Sequence, residues 1–185
     1  MLDHPDDTYL ITAFRKKDTQ HYAFNLLVRK YQERVYWHIR KMVISHEDAD
    51  DITQDVFVKI WTKLDGFKEQ SALFTWIYRI ATNECLNFLK KKRRRFMLPI
   101  HDVAAELSNI IDHDPMVSGK KIEKELQKAL LTIPDKQRLV FNMKYFDDMP
   151  YKEISAILNV SIGGLKASYH LAVKKVSRFI EAESI

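Results

Sequence analysis

The sequence predicts an all-α protein, an N-terminal helical bundle and a C-terminal helix-turn-helix domain joined by a linker, on three observations. Only 4 glycines and 5 prolines interrupt 185 residues. Helix formers such as Lys, Glu, Leu and Ala fill the runs between them. Apolar residues recur at three- and four-residue steps, and the alternating pattern of a half-buried strand is nearly absent. A hydrophobic fraction of 46% is enough to build cores in a chain of this length.

Residues 1–20 are read as a short N-terminal extension that holds no partner domain. The first unit spans 21–95. Phe24, Leu27, Val28, Tyr31, Val35, Ile39 and Met42 mark one amphipathic helix over about 21–43. Ser45-His46-Glu47-Asp48 is a capping-type start for the next helix, whose stripe is Ala49, Ile52, Val56, Ile60 and Leu64 before Gly66 ends it. After a polar loop, Leu73, Trp76, Ile77, Ile80, Ala81, Phe88 and Leu89 line a third long helix that runs into Lys90-Lys91-Lys92-Arg93-Arg94-Arg95. Three such helices can close a small bundle. Residues 96–119 carry Pro99, Pro115 and Gly119 but no sustained period, and read as a linker. The second unit, 120–185, is expected to hold helices over about 122–131, 135–146 after Pro134, 151–158 after Pro150 and 161–180.

The formal charge of +5 permits a polyanionic partner, and its distribution says more. The stretch 1–95 is net +5, the linker is net −4 and 120–185 is net +4, so two basic blocks flank an acidic connector. One cysteine, Cys85, excludes an intrachain disulfide and a Cys-rich zinc site, in keeping with a reducing cytoplasm. No apolar run long enough for a membrane span or a signal peptide is present, so a cytoplasmic protein is expected.

The run YKEISAILNVSIGGLKASYHLAVKKV carries the clearest chemistry. Ile154, Leu158, Val160 and Leu165 are the positions that two steeply crossing helices bury between them, and small Ser155 suits their close approach. Asn159 stands where the chain turns sharply, and Asn tolerates a left-handed backbone. This is the pattern of a helix-turn-helix that places its second helix in the major groove of DNA. From 161 to 180 there are four cations, Lys166, Lys174, Lys175 and Arg178, and no acid, which leaves a phosphate-compatible face. The first turn, Ser161-Ile162-Gly163-Gly164, offers backbone N–H groups to a phosphate, although two glycines also mean simple flexibility.

Taken together these stretches resemble the extracytoplasmic-function (ECF) group of bacterial sigma factors, the two-domain minimal type of the sigma-70 superfamily. The residues that carry the resemblance are Asp48-Ala49-Asp50-Asp51-Ile52-Thr53-Gln54-Asp55-Val56-Phe57 and Phe74-Thr75-Trp76-Ile77-Tyr78-Arg79-Ile80-Ala81-Thr82-Asn83 in the first unit, similar to sigma region 2. In the second they are Leu131-Thr132-Ile133-Pro134-Asp135-Lys136-Gln137-Arg138-Leu139-Val140-Phe141, Tyr151-Lys152-Glu153-Ile154 and the final helix, similar to sigma region 4. The resemblance implies a transcription initiation factor that binds core RNA polymerase, through the β′ clamp and the β subunit, directs it to promoter DNA and assists opening.

On that resemblance Asp48, Asp51, Gln54, Asp55 and Phe57 are expected to bind core polymerase. The acidic residues at 48–51 also favour the positive end of their own helix. Phe74, Thr75, Arg79, Asn83, Lys90 and Arg93 are expected at the minus-ten element, where opening calls for aromatic surface, hydrogen bonding and cations. Trp76 and Ile77 lie on the apolar stripe and read as core. The cations at 90–95 also suit the negative end of a helix. Ser161, Gly164, Lys166, Ala167, Tyr169, His170 and Lys174 are expected at the minus-thirty-five element. Gly164 and the Tyr169-His170 pair depart from the commoner family pattern, which bears on sequence preference. An anti-sigma factor is the implied regulatory partner, with the acidic linker letting the two units fold around it; two units packed directly together are the other arrangement.

The alternative from a different class is a one-component helix-turn-helix regulator with an N-terminal sensing bundle, against which the acidic helix and the 74–83 block argue. An enzyme is disfavoured: there is no Gly-rich phosphate loop and no HExxH, the seven His residues are scattered, and Cys85 lies within a helical stripe. Neither a cofactor nor a metal site is expected.

Overall fold

A computed structural model describes residues 5–95, 108–109, 111 and 121–183. The long helices follow the apolar stripes: α1 Asp7–Phe14, α2 Gln20–Val43, α3 His46–Lys63, α4 Leu73–Arg95, α5 Lys121–Leu131, α6 Asp135–Tyr145, α7 Tyr151–Leu158 and α8 Ile162–Glu183. The predicted ends hold where a cap fixes them. Ser45 Oγ accepts the Asp48 N–H at 3.2 Å and starts α3. Pro134 and Pro150, both extended, precede α6 and α7. Asn159 ends α7 at φ 53°, ψ 45°, the left-handed conformation its residue type allows.

The N-terminal unit has four helices, not three. Residues 1–20 were expected to stand outside the bundle, yet Asp6 caps α1 by accepting the Thr8 N–H, and Leu10 and Phe14, one turn apart, are fully buried. Phe14 meets Phe24 of α2 and Trp61 of α3, with the Trp61 ring 5.2 Å away, and Asp7 accepts from both Lys30 and Tyr31. Arg15 then donates to Phe67 O at 2.7 Å and pairs with Glu69, which ties the start of the chain to the loop before α4. Leu27, Val35, Ile39, Val56, Ile60, Leu64 and Ile77 form the core of this unit.

Most of the expected linker lies outside the described residues. Within it Ser108, Asn109 and Ile111 are helical and Ile111 is buried. The C-terminal unit has a small core of its own, Ala129, Leu130, Ile133, Phe141, Ala172 and Val176, closing α5, α6 and α8. The opposite side of α6, with Leu139, Val140 and Met143, joins Ile154, Ile157 and Leu165 in the core that continues into α2 and α4. The two units therefore pack directly on each other, α6 against α2 and α7 against α4. The reason lies in α6, which is apolar on two sides: its own four-helix unit encloses one, and the other continues into the core of α2 and α4.

Candidate nucleic-acid interface

On α8, Leu165, Tyr169, Ala172 and Val176 recur at four- and three-residue steps and point inward. The positions between them point out. Lys166, Ala167, His170 and Lys174 are all exposed, as are Ser161 and Gly164 at the first turn. Six of the seven residues expected to read DNA from this helix therefore share a solvent face. Tyr169 does not. Its ring stacks on Phe141 at 5.7 Å between centroids and meets Tyr151 edge-on, and burial raises its hydroxyl pKa. The 165/169/172/176 spacing carried that information. Leu171, 47% exposed beside His170, is an apolar group on the outer face that sequence reasoning passed over.

The first turn of α8 is also less open than four glycine-rich residues imply. Ser161 Oγ accepts the Gly164 N–H at 3.2 Å, so that donor is already used. A Cβ at Gly164 would stand 3.2 Å from that same oxygen and 3.3 Å from Val160 Cγ1, whereas one at Gly163 would meet nothing within 4 Å.

On α3, Asp51, Gln54 and Asp55 are exposed on one face, and Val58, 62% exposed one turn further on, extends it. Val58 was missed because its neighbours Val56 and Phe57 are core. Phe57 itself, expected at the polymerase, is buried against the bundle with 8% exposure, so its side chain is a packing group. Asp48 is half-buried and pairs with Lys92 at 3.1 Å, joining the start of α3 to the end of α4. The basic run thus contributes to the fold as well as to the charge of the surface.

The α4 residues are more divided. Thr75, expected at the minus-ten element, is buried with 6% exposure, and so its hydroxyl is not presented to solvent. Phe74 is half-buried under the Arg34 guanidinium, 4.5 Å from its ring centroid, and packs on Tyr78. Lys90 is exposed. Arg79 and Asn83 keep solvent contact, but α7 stands over this stretch: Arg79 Nη2 donates to Ala156 O at 2.5 Å, and Thr82, Asn83 and Leu86 wall a cavity of about 370 Å³ closed on the other side by Leu139, Ile157 and Leu165. Arg93 pairs with Asp135 of α6.

Two buried titratable groups lie behind this face. His38 shares a 2.9 Å hydrogen bond with Thr82 Oγ1, and its burial lowers the imidazole to about 4, so the ring is neutral at pH 7. Burial pushes the Cys85 thiol up to about 12, which removes it as a nucleophile. Among the described residues no group of three His, Cys, Asp or Glu is placed to hold a metal ion, and no helix is long and apolar enough to cross a membrane.

Comparison with known proteins falls on the same two units. The family model for sigma-70 region 2 matches residues 27–95 and that for sigma-70 region 4 matches 123–176. The chain is 26% identical to the RNA polymerase sigma-H factor of Pseudomonas aeruginosa over 98% of its length and 97% of the relative's. It is 28% identical to the ECF RNA polymerase sigma-E factor of Escherichia coli K12, with the same coverage of both chains. The fold matches the sigma factor RpoE of Bartonella quintana, seen in complex with the anti-sigma factor NepR, at a TM-score of 0.66 and 21% identity over 85% of this chain and 96% of that one. Both regions in order, with relatives matching from end to end, place this chain in the sigma-70 family, as an ECF sigma factor.

Proposed function

We propose that this protein acts in the cytoplasm as an initiation factor whose α3 face docks on the β′ clamp of core RNA polymerase and whose α4 and α8 contact the two promoter elements. As a sigma factor it directs RNA polymerase to promoters and is not an enzyme. The one-component regulator is not favoured.

The observation that carries the assignment of surfaces is the outward face of α8. Exposed Lys166 and Lys174 are assigned to phosphates, and exposed Ala167 and His170 to base edges in the major groove. On α3 the exposed stripe Asp51, Gln54, Asp55 and Val58 offers two carboxylates followed by an apolar group, a surface suited to a basic partner with an adjoining apolar patch. On α4, Arg79, Asn83 and Lys90 are assigned to the minus-ten DNA, with Phe74 as a partly covered aromatic edge. An anti-sigma factor, of the kind the Bartonella structure contains, is proposed as a regulatory partner.

The decisive experiment is run-off transcription with purified core polymerase, in which promoter-dependent starts are expected; their absence would leave only a DNA-binding protein. Within it, Asp51→Lys is expected to abolish capture of the β′ clamp while binding of promoter DNA by α8 persists. Undiminished capture would remove α3 from the polymerase surface.

A further inference from the structure

The outward side of α8 carries an aliphatic stripe. Gly164, Ala167, Leu171 and Lys174 follow at steps of three, four and three, so they share one side of the helix, turned away from buried Leu165, Ala172 and Val176. All four are exposed, Leu171 to 47%. A single exposed leucine is ordinary on a protein surface. This one stands one turn after Ala167 and one turn before Lys174, inside a stretch, 161–180, that holds four cations and no acid. It is a member of neither hydrophobic core, so the packing of α8 gives no reason for a large aliphatic side chain at this position.

The chemistry of the stripe limits what it can read. Gly164 has no side chain, and Ala167 and Leu171 hold neither donor nor acceptor. Over two turns, therefore, no side chain on this stripe can hydrogen-bond to a base edge. The Gly164 N–H is also engaged, because Ser161 Oγ accepts it at 3.2 Å. In the major groove G, C and A are distinguished by donors and acceptors, and T alone adds a C5 methyl group. A carbonyl or amino group brought against Leu171 would lose its water and gain no partner, which costs free energy. The thymine methyl loses nothing there and is removed from water. The small residues at 164 and 167 also let the helix backbone come close to the base edges.

We propose that Leu171, with Ala167 beside it, selects thymine at one step of the minus-thirty-five element by covering its C5 methyl, while Lys166 and Lys174 hold phosphates. The proposal rests on α8 entering the major groove and adds a base identity to that reading. The selectivity it confers is about fourfold, the effect of burying one methyl-sized group.

The test uses the full chain bound to core polymerase. Duplexes selected from a pool randomised over the minus-thirty-five element give the preferred sequence. Each thymine on either strand is then replaced in turn by deoxyuridine, which removes the methyl and keeps O4. One replacement is expected to weaken wild-type binding about fourfold. Leu171→Ala is expected to bind the thymine and deoxyuridine duplexes equally at that step and to keep the wild-type salt slope, since it loses no phosphate contact. Lys174→Ala is expected to do the reverse, lowering the salt slope by about 1 and keeping the fourfold ratio. Leu171→Met, still long and apolar, is expected to retain most of the ratio, and thermal unfolding verifies that each variant keeps its fold. Wild-type binding that is indifferent to every methyl, or a deoxyuridine penalty that persists in Leu171→Ala, would overturn the reading of thymine. If the pool yields no preferred sequence and Lys166→Ala leaves the salt slope unchanged, α8 does not enter the groove and both readings fail. If Lys166→Ala lowers the slope but no methyl matters, α8 docks in the groove and only the choice of thymine is wrong.

Discussion

The two helices assigned to DNA, α4 and α8, differ in what their outward residues do in the free chain. On α8, Lys166, Ala167, His170 and Lys174 are exposed, and the inner face packs mainly on its own unit. On α4, Arg79 caps α7, Arg93 pairs with Asp135, and Asn83 walls a cavity shared with the other unit. One face is presented and the other is engaged. The contacts proposed for α8 are therefore open in the free chain, whereas on α4 Arg79 and Arg93 each have a competing structural partner.

The comparison can be tested from its largest effect downward. Leu165→Ala, at a fully buried position where α8 meets the shared core, is expected to cost about 2–5 kcal/mol in denaturant unfolding. A cost below 1 kcal/mol would mean that α8 leans on the core less than its burial implies. Acidification should act on the α4 side. The folded-state pKa of His38 is lowered from 6.5 to about 4, so its contribution is complete above pH 6.5, is lost progressively as pH falls toward 4, and levels off below. The loss amounts to roughly 3 kcal/mol, and His38→Gln should flatten this part of the stability profile if urea midpoints are followed across that range.

Smaller changes bear more directly on the contrast. Arg79→Ala should lower the stability of the free chain by about 1 kcal/mol through the lost cap, while Lys166→Ala leaves stability within about 0.5 kcal/mol of wild type. In DNA binding the order reverses for the isolated minus-thirty-five element: Lys166→Ala reduces the salt slope by about 1 and Arg79→Ala leaves it unchanged. Equal thermal shifts for the two variants would erase the distinction between the faces. Least of all, Gly164→Ala combines a gain in helix propensity of up to about 1 kcal/mol with a crowded Cβ beside Ser161 Oγ and Val160, and a net change within about 0.5 kcal/mol is expected by calorimetry.

Much of this was legible in residue order. The stripes of α2, α3 and α8, the Ser45 cap and the left-handed Asn159 follow from local rules, and the residues of α8 fell on one face because 3.6-residue periodicity fixes which positions point out. Where reading failed, a local pattern served two purposes. Tyr169 lies between reading residues in sequence but on the inner stripe in space. Phe57 and Thr75 belong to motifs whose other members are exposed, and only the packing of α3 on α4 decides that these two face in. The helix at Asp7–Phe14 was missed because a single turn pair, Leu10 and Phe14, gives little periodic signal until Trp61 and Phe24 are there to receive it.

By itself the sequence determined the helical class, the order of the elements, the family and the outward face of α8, since each depends on neighbours within a few turns along the chain. Only the tertiary structure decided that α6 has two buried sides, that Arg138 and Asn142 cap α2 from the other unit and that Arg79 is held by Ala156. Those contacts join residues about eighty to a hundred positions apart, and no local periodicity specifies which unsatisfied carbonyl a distant guanidinium will reach.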